Sequence, residues 1–245
     1  ESYVANTSSN GGFGGALDTT YAEDGDDIVF TATQTRVYTA PSDVIVREWG
    51  YSVSSNGTNV SVRELFRDDA DVPVSVSILA TRKLRHTHAL EVRVPKVQAV
   101  AFDLEEYDVG GALVGTTPLS GVLTFHAAGS GAWQVLDFKN DYQQTVKAYA
   151  YTARPVAPAW NAQTPTTNRI GITASFGAAT GTTTREIAAV MTEVQANGTP
   201  LYGFALTPHD PSAGGWLLTL DEPHSITKDD TKTLRIGLDL TFARA

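Results

Sequence analysis

The stretch Thr233-Leu234-Arg235-Ile236-Gly237-Leu238-Asp239-Leu240-Thr241-Phe242 decides the fold class. Leu234, Ile236, Leu238, Leu240 and Phe242 occupy every second position, with Thr233, Arg235, Gly237, Asp239 and Thr241 between them. Side chains on a strand alternate between two faces, so this period predicts a long strand with one core face and one wet face.

The same signal recurs along the chain at roughly ten-residue spacing. Upstream candidates are 28–33, 44–53, 74–79, 89–94, 99–104, 121–125, 133–138, 145–152, 170–176, 201–207 and 215–220. Between 44–53 and the clean alternation of Asn59 to Leu65 stands Ser55-Asn56-Gly57-Thr58. Asn-Gly supplies the two positive-φ positions of a tight hairpin turn. Regular βαβ alternation is absent, which argues against a doubly wound nucleotide fold. The expected fold is all-β, an antiparallel jelly-roll-like β-sandwich built as one sandwich or two β modules, with at most one short helix.

One stretch is ambiguous in period. Thr183-x-x-Glu186 matches a capping box, Ile187, Val190, Met191 and Val194 have helical spacing, and Asn197-Gly198 would stop a helix. Residues 186–190 also suit a strand. The balance tips slightly to a helix over 184–196.

Punctuation divides the chain. Residues 1–24, with Gly11-Gly12 and Gly14-Gly15, read as an extended N-terminal arm. Residues 25–153 form the first sandwich region. Residues 154–169, with Pro155, Pro158 and Pro165 around Trp160, form a strap or linker. Residues 170–245 form a second module or complete the sandwich.

Composition removes whole classes of function. The 245 residues include no cysteine, which excludes disulfide scaffolds, zinc ribbons, iron–sulfur sites and thiol nucleophiles. A hydrophobic fraction of 42% permits a packed core. The net charge of −9 argues against a nucleic-acid partner gripped through its phosphates. The longest uncharged stretch, Gly110 to Leu136, is broken by Gly, Ser, Thr and Pro, so no apolar span for a membrane is expected. The residues from Glu1 onward carry no signal-like apolar run.

Chemistry-bearing motifs are sparse. The chain has no G-x-S-x-G elbow, P-loop or H-E-x-x-H. His86-Thr87-His88 would place two rings on one face of a strand, but the run Arg82-Lys83-Leu84-Arg85 beside them disfavours a cation. The acidic clusters at Asp24/Asp26/Asp27, Asp68/Asp69/Asp71, Glu105/Glu106/Asp108 and Asp229/Asp230 read as solvated turn charges, since none follows a calcium-loop pattern. The four tryptophans are spread along the chain as core or interface anchors. No catalytic, cofactor or metal residue is nominated. Seventeen of the 27 carboxylates lie before Gly110, together with the one basic run. That opposition nominates Arg82, Lys83, Arg85, His86 and His88, with Trp160, as subunit-contact residues.

A resemblance adds to this reading. The run Ile172-Thr-Ala-Ser-Phe176, then 179–186, Pro200-Leu-Tyr-Gly-Phe204 and the closing 226–242, resembles the terminal β module of virion proteins of tailed phages and archaeal viruses. The departure is Ile187-Ala-Ala-Val190, where that module has a Gly-containing strand. Tyr38-Thr-Ala-Pro41, Val44-Ile-Val46 and the Asn56-Gly57 hairpin are similar to jelly-roll capsid and turret proteins. The resemblance implies a non-enzymatic virion protein of capsid, turret, decoration or tail type, without cofactor, partnered by itself and other virion proteins. The alternative is an extracellular carbohydrate-binding β-sandwich module, which would present an exposed row of aromatics.

Overall fold

A computed structural model describes residues 18–52, 60–129, 147–180, 184–207 and 214–241. Among them are fifteen strands and no α-helix, so the all-β expectation is met. In chain order these begin with β1 (Asp18–Asp24), β2 (Asp27–Thr39), β3 (Val44–Val46), β4 (Glu48–Ser52), β5 (Val60–Leu65), β6 (Val76–Ile78), β7 (Lys83–Pro95) and β8 (Val97–Asp108). They continue with β9 (Leu113–Ala127), β10 (Lys147–Tyr151), β11 (Arg169–Thr180), β12 (Thr184–Met191), β13 (Gly203–Thr207), β14 (Gly214–Leu220) and β15 (Lys232–Thr241). The chain divides into a smaller unit, residues 1–20 and 31–91, and a larger unit, residues 21–30 and 92–245. Asp18–Asp24, the end of the expected arm, form β1. Residues 1–17 lie outside the described part, as does the expected strand at 133–138.

In the larger unit, eight strands close into a barrel in the order β10-β11-β12-β15-β8-β9-β14-β13, all antiparallel, with β13 returning to β10. The sequence led us to expect a jelly-roll-like sandwich. Both architectures bury every second residue, so alternation alone does not separate them. Closure comes from pairing Lys147–Tyr151 with Gly203–Thr207, two segments far apart in sequence.

The registers carry one inward parity around the ring. Ala148 pairs with Ile172 and Leu206, Leu206 with Trp216, and Trp216 with Phe125. Ala189 pairs with Ala174 and Ile236. These residues belong to one core cluster. Alternate residues of β15 thus form part of the barrel's inner wall: Leu234 and Ile236 are buried, and the positions that follow each carry Arg235 and the exposed Gly237. Ile28 and Phe30 join the same cluster, with Phe30 edge-on to Phe125 at 6.0 Å and stacked on Tyr21 at 5.9 Å.

The segment weighed as a helix is a strand. Ile187, Ala189 and Met191 are the buried positions that enter the core cluster, a period of two, and β12 is paired on both sides, by β11 and β15. Two ladders satisfy its backbone groups and override the local capping signal. The Asn197-Gly198 stop signal marks a turn after it, with Gly198 at φ 66°.

Residues 152–168 connect the paired neighbours β10 and β11 by a long excursion over the outer face of β13, β14 and β9. The Trp160 carbonyl accepts a hydrogen bond from the Ala127 amide at 2.8 Å, and the Tyr151 hydroxyl donates to the Pro165 carbonyl at 2.8 Å. Arg154 donates to the Leu220 carbonyl and lies over the Tyr202 ring. The cover explains why every residue of β13 is buried, on both faces of the strand. Gly203 is confined by both layers: a Cβ there would stand 2.6 Å from the Leu218 carbonyl oxygen of β14 and 2.8 Å from Pro155 Cγ of the cover.

In the smaller unit, β4 and β5 form the expected hairpin, its turn lying outside the described residues, and β3 pairs with β6. Both are two-stranded sheets. β1, β2 and β7 form a three-stranded sheet with β2 in the middle; residues 21–24, 27–30 and 92–95 of these strands are counted with the larger unit.

Gly203→Ala is expected to destabilise the larger unit by about 1–3 kcal/mol through overpacking against a backbone oxygen and a proline ring. Guanidinium unfolding followed by tryptophan fluorescence checks this; unchanged stability would mean that neither the β14 backbone nor Pro155 confines this position.

Candidate functional site

The ladder between β15 and β8 runs only from Lys232 to Arg235, paired with Asp108 to Glu105. Its last rung is held by charge. Arg235 Nη1 lies 2.9 Å from Glu105 Oε2, which also accepts the Tyr107 hydroxyl at 2.8 Å, and Lys232 Nζ lies 2.7 Å from Glu106 Oε2. The Tyr107 hydrogen bond, and then the Arg235 guanidinium, outweigh desolvation and lower the Glu105 pKa. The Glu106 hydrogen bond raises that of Lys232. Of the acidic cluster Glu105/Glu106/Asp108, read from sequence as turn charges, two members are therefore cross-strand partners. Only Asp108 serves a turn, accepting the Gly110 and Ala112 amides at 2.9 and 2.8 Å.

Beyond that rung the two strands part, and a cavity of about 210 Å³ opens from the barrel interior between Val100–Phe102 of β8 and Ile236, Gly237 and Asp239 of β15. Its depth is formed by Phe204, Leu206, Trp216 and Leu218. Ala189 keeps it open. It is the small member of an inward row otherwise occupied by Ile187 and Met191. Asp239, at the mouth, is the one charged residue of the lining among the described residues. At about 24 cal/mol per Å³ of unfilled core, a void of this size costs at most about 5 kcal/mol. The sequence signal for it is faint: small Ala189 and Gly237 face or flank otherwise bulky positions, but nothing local marks where a ladder ends.

On the opposite face of the wall, His126 is fully buried beneath residues 152–168, and its Nε2 lies 3.0 Å from the hydroxyl of Thr164, itself buried. Burial pushes the His126 pKa down to about 4, against a smaller opposing effect of the Thr124 backbone. Tyr151, in the same outer layer, is pushed up to about 12 by burial. Lys228 is also buried, with Nζ donating to the Glu193 and Asp229 carbonyls at 3.1 and 2.9 Å and to Asn197 Oδ1. Its ammonium ties the 192–198 turn to the strand bridge at Asn197–Lys228. Burial is the main reason its pKa is lowered. These are structural roles.

The residues nominated from sequence fall as follows. Arg82, Lys83 and Arg85 are exposed, the last two on β7. His86 is half-buried on β7, with ring centroids 4.4 Å from Trp49 and 6.3 Å from Phe66. The side chain of His88 is outside the described residues. Trp160 is half-buried and edge-on to Tyr21 at 5.9 Å. Among the other acidic clusters, Asp24 and Asp27 lie 2.9 and 3.9 Å from Arg93, Asp68 accepts the Ala70 and Val72 amides, and Asp229 accepts from Thr231. Among the described residues, no three His, Asp or Glu side chains are grouped to hold a metal ion, and no helix is long and apolar enough to cross a membrane.

Fold and cavity together define a class: an all-β protein whose larger unit is an eight-stranded antiparallel barrel with an apolar cavity opening through its wall. Comparison of the chain with protein-family models, curated protein sequences and solved structures finds no match.

His126 gives a pH signature. Its folded pKa lies below the unfolded value of about 6.5, so between about 6.5 and about 4 the unfolded chain binds a proton that the folded chain refuses. The contribution is complete above about pH 6.5 and is lost as pH falls towards 4, by about 3 kcal/mol in all. Urea unfolding of wild type and His126→Gln across this range should show a steeper fall in the wild type; parallel curves would contradict the assignment.

Proposed function

We propose that this chain is a virion structural protein, a subunit that assembles with copies of itself and other virion proteins into a capsid, turret, decoration or tail structure. The observation that carries the assembly reading is the poor core of the smaller unit. Among its described residues, the buried hydrophobics are Ala32, Ala40 and Ile78. Six larger apolar side chains are exposed there: Val37, Ile45, Leu65, Val72, Leu79 and Leu90, the last four at 40, 53, 59 and 57%. Four of its strands lie in two-stranded sheets, which are marginal in water unless something covers a face. A neighbouring subunit is the natural cover, and repeated contacts let each copy contribute modestly. The virion setting comes from the sequence likeness of residues 172–242 and 38–57, and it stands whether the barrel or a jelly roll builds the shell.

The exposed Arg82, Lys83 and Arg85 supply the polar side of the proposed contact, facing the acidic surface that the remainder of this region offers a neighbour. Nothing in the reading calls for a reaction, a cofactor, a nucleic acid or membrane insertion.

Light scattering on the purified chain should show defined oligomers, and electron microscopy should show particles or rings. The triple variant Arg82→Glu, Lys83→Glu, Arg85→Glu should keep its circular dichroism spectrum and lose assembly. A monomer at every concentration and salt tested would contradict the proposal.

A further inference from the structure

We propose that the barrel cavity of the larger unit is a binding site for a small amphipathic amine, its apolar body a single ring or short alkyl chain and its ammonium group at Asp239. Size and lining set the body. A dry apolar cavity of about 150 Å³ in another protein admits benzene, and about 210 Å³ walled by Phe102, Phe204, Trp216, Leu218 and Ile236 takes a body somewhat larger. The mouth sets the head group. Asp239 is exposed on the outer face of β15, at the point where the wall is open, so a ligand with its body in the barrel has its head beside that carboxylate and in reach of water. A cation there keeps part of its hydration and gains an opposite charge; a carboxylate head meets repulsion.

The entrance is built from the strands themselves. The Arg235–Glu105 and Lys232–Glu106 pairs hold β15 to β8 at one end, and the separation begins one residue further on. The opening thus lies where no rung pairs β15 with β8. The site is independent of the assembly reading, since its lining residues all belong to the larger unit.

Calorimetric titration of the full chain with hexylamine, hexanol and hexanoate tests the proposal. Hexylamine should bind saturably with one site per chain, hexanol more weakly, and hexanoate weakest, roughly tenfold below the amine at low salt. Asp239→Asn, an exposed position, should leave hexanol binding unchanged and remove the preference for the amine. Ala189→Leu should fill the cavity and abolish binding of all three, with folding checked by circular dichroism. Absence of saturable binding by the wild type overturns the site. Equal binding of the three ligands, or an amine preference that survives in Asp239→Asn, overturns the role given to Asp239, whatever the behaviour of Ala189→Leu.

Discussion

The larger unit depends on one ladder, that between β10 and β13. Without it, Lys147–Tyr151 and Gly203–Thr207 would be two bare strand edges, each a template for pairing with another chain. With it, every strand of the ring has two neighbours, and the alternate residues of all eight face one interior. Burial of Phe204, Leu206, Trp216 and Leu218 follows from that closure, as does the room left above Ala189. Residues 152–168 then cover the outer side of the same strands, so that β13 and β14 are buried on both faces, as strands in the middle of a layered protein are.

The smaller unit is built on the opposite principle. Two of its sheets are two-stranded, and six of its larger apolar residues are exposed. One chain thus combines a unit with a closed barrel core and one with few buried apolar residues among those described.

Much of this was legible in the sequence, for a physical reason. Period-two alternation is a local property, and over 233–241 and in the hairpin of 48–52 with 60–65 it predicts strands that the structure contains, although the single strand expected over 44–53 is divided, with 44–46 pairing instead with 76–78. Closure is not local. The choice between a barrel and a sandwich turns on which distant segments pair, and Lys147–Tyr151 carries no mark of Gly203–Thr207. The helix weighed over 184–196 fails for the same reason, because two neighbouring ladders outvote a capping box. The cavity was illegible because it is a space between side chains, set by the end of a ladder at Arg235–Glu105 rather than by any motif. Glu105 and Glu106 were misread as solvated charges because their partners, Arg235 and Lys232, lie far along the chain.

Hydrogen–deuterium exchange of the same protein at low and high concentration, read segment by segment, separates the two units most directly. Amides of β3, β4, β5 and β6 should exchange rapidly in dilute solution and become protected on concentration if a neighbouring copy covers the smaller unit. Those of β10, β13 and β14 should be strongly protected at both. Equal protection of the two units at every concentration would contradict such cover, since the smaller unit would then need no neighbour to hold its fold.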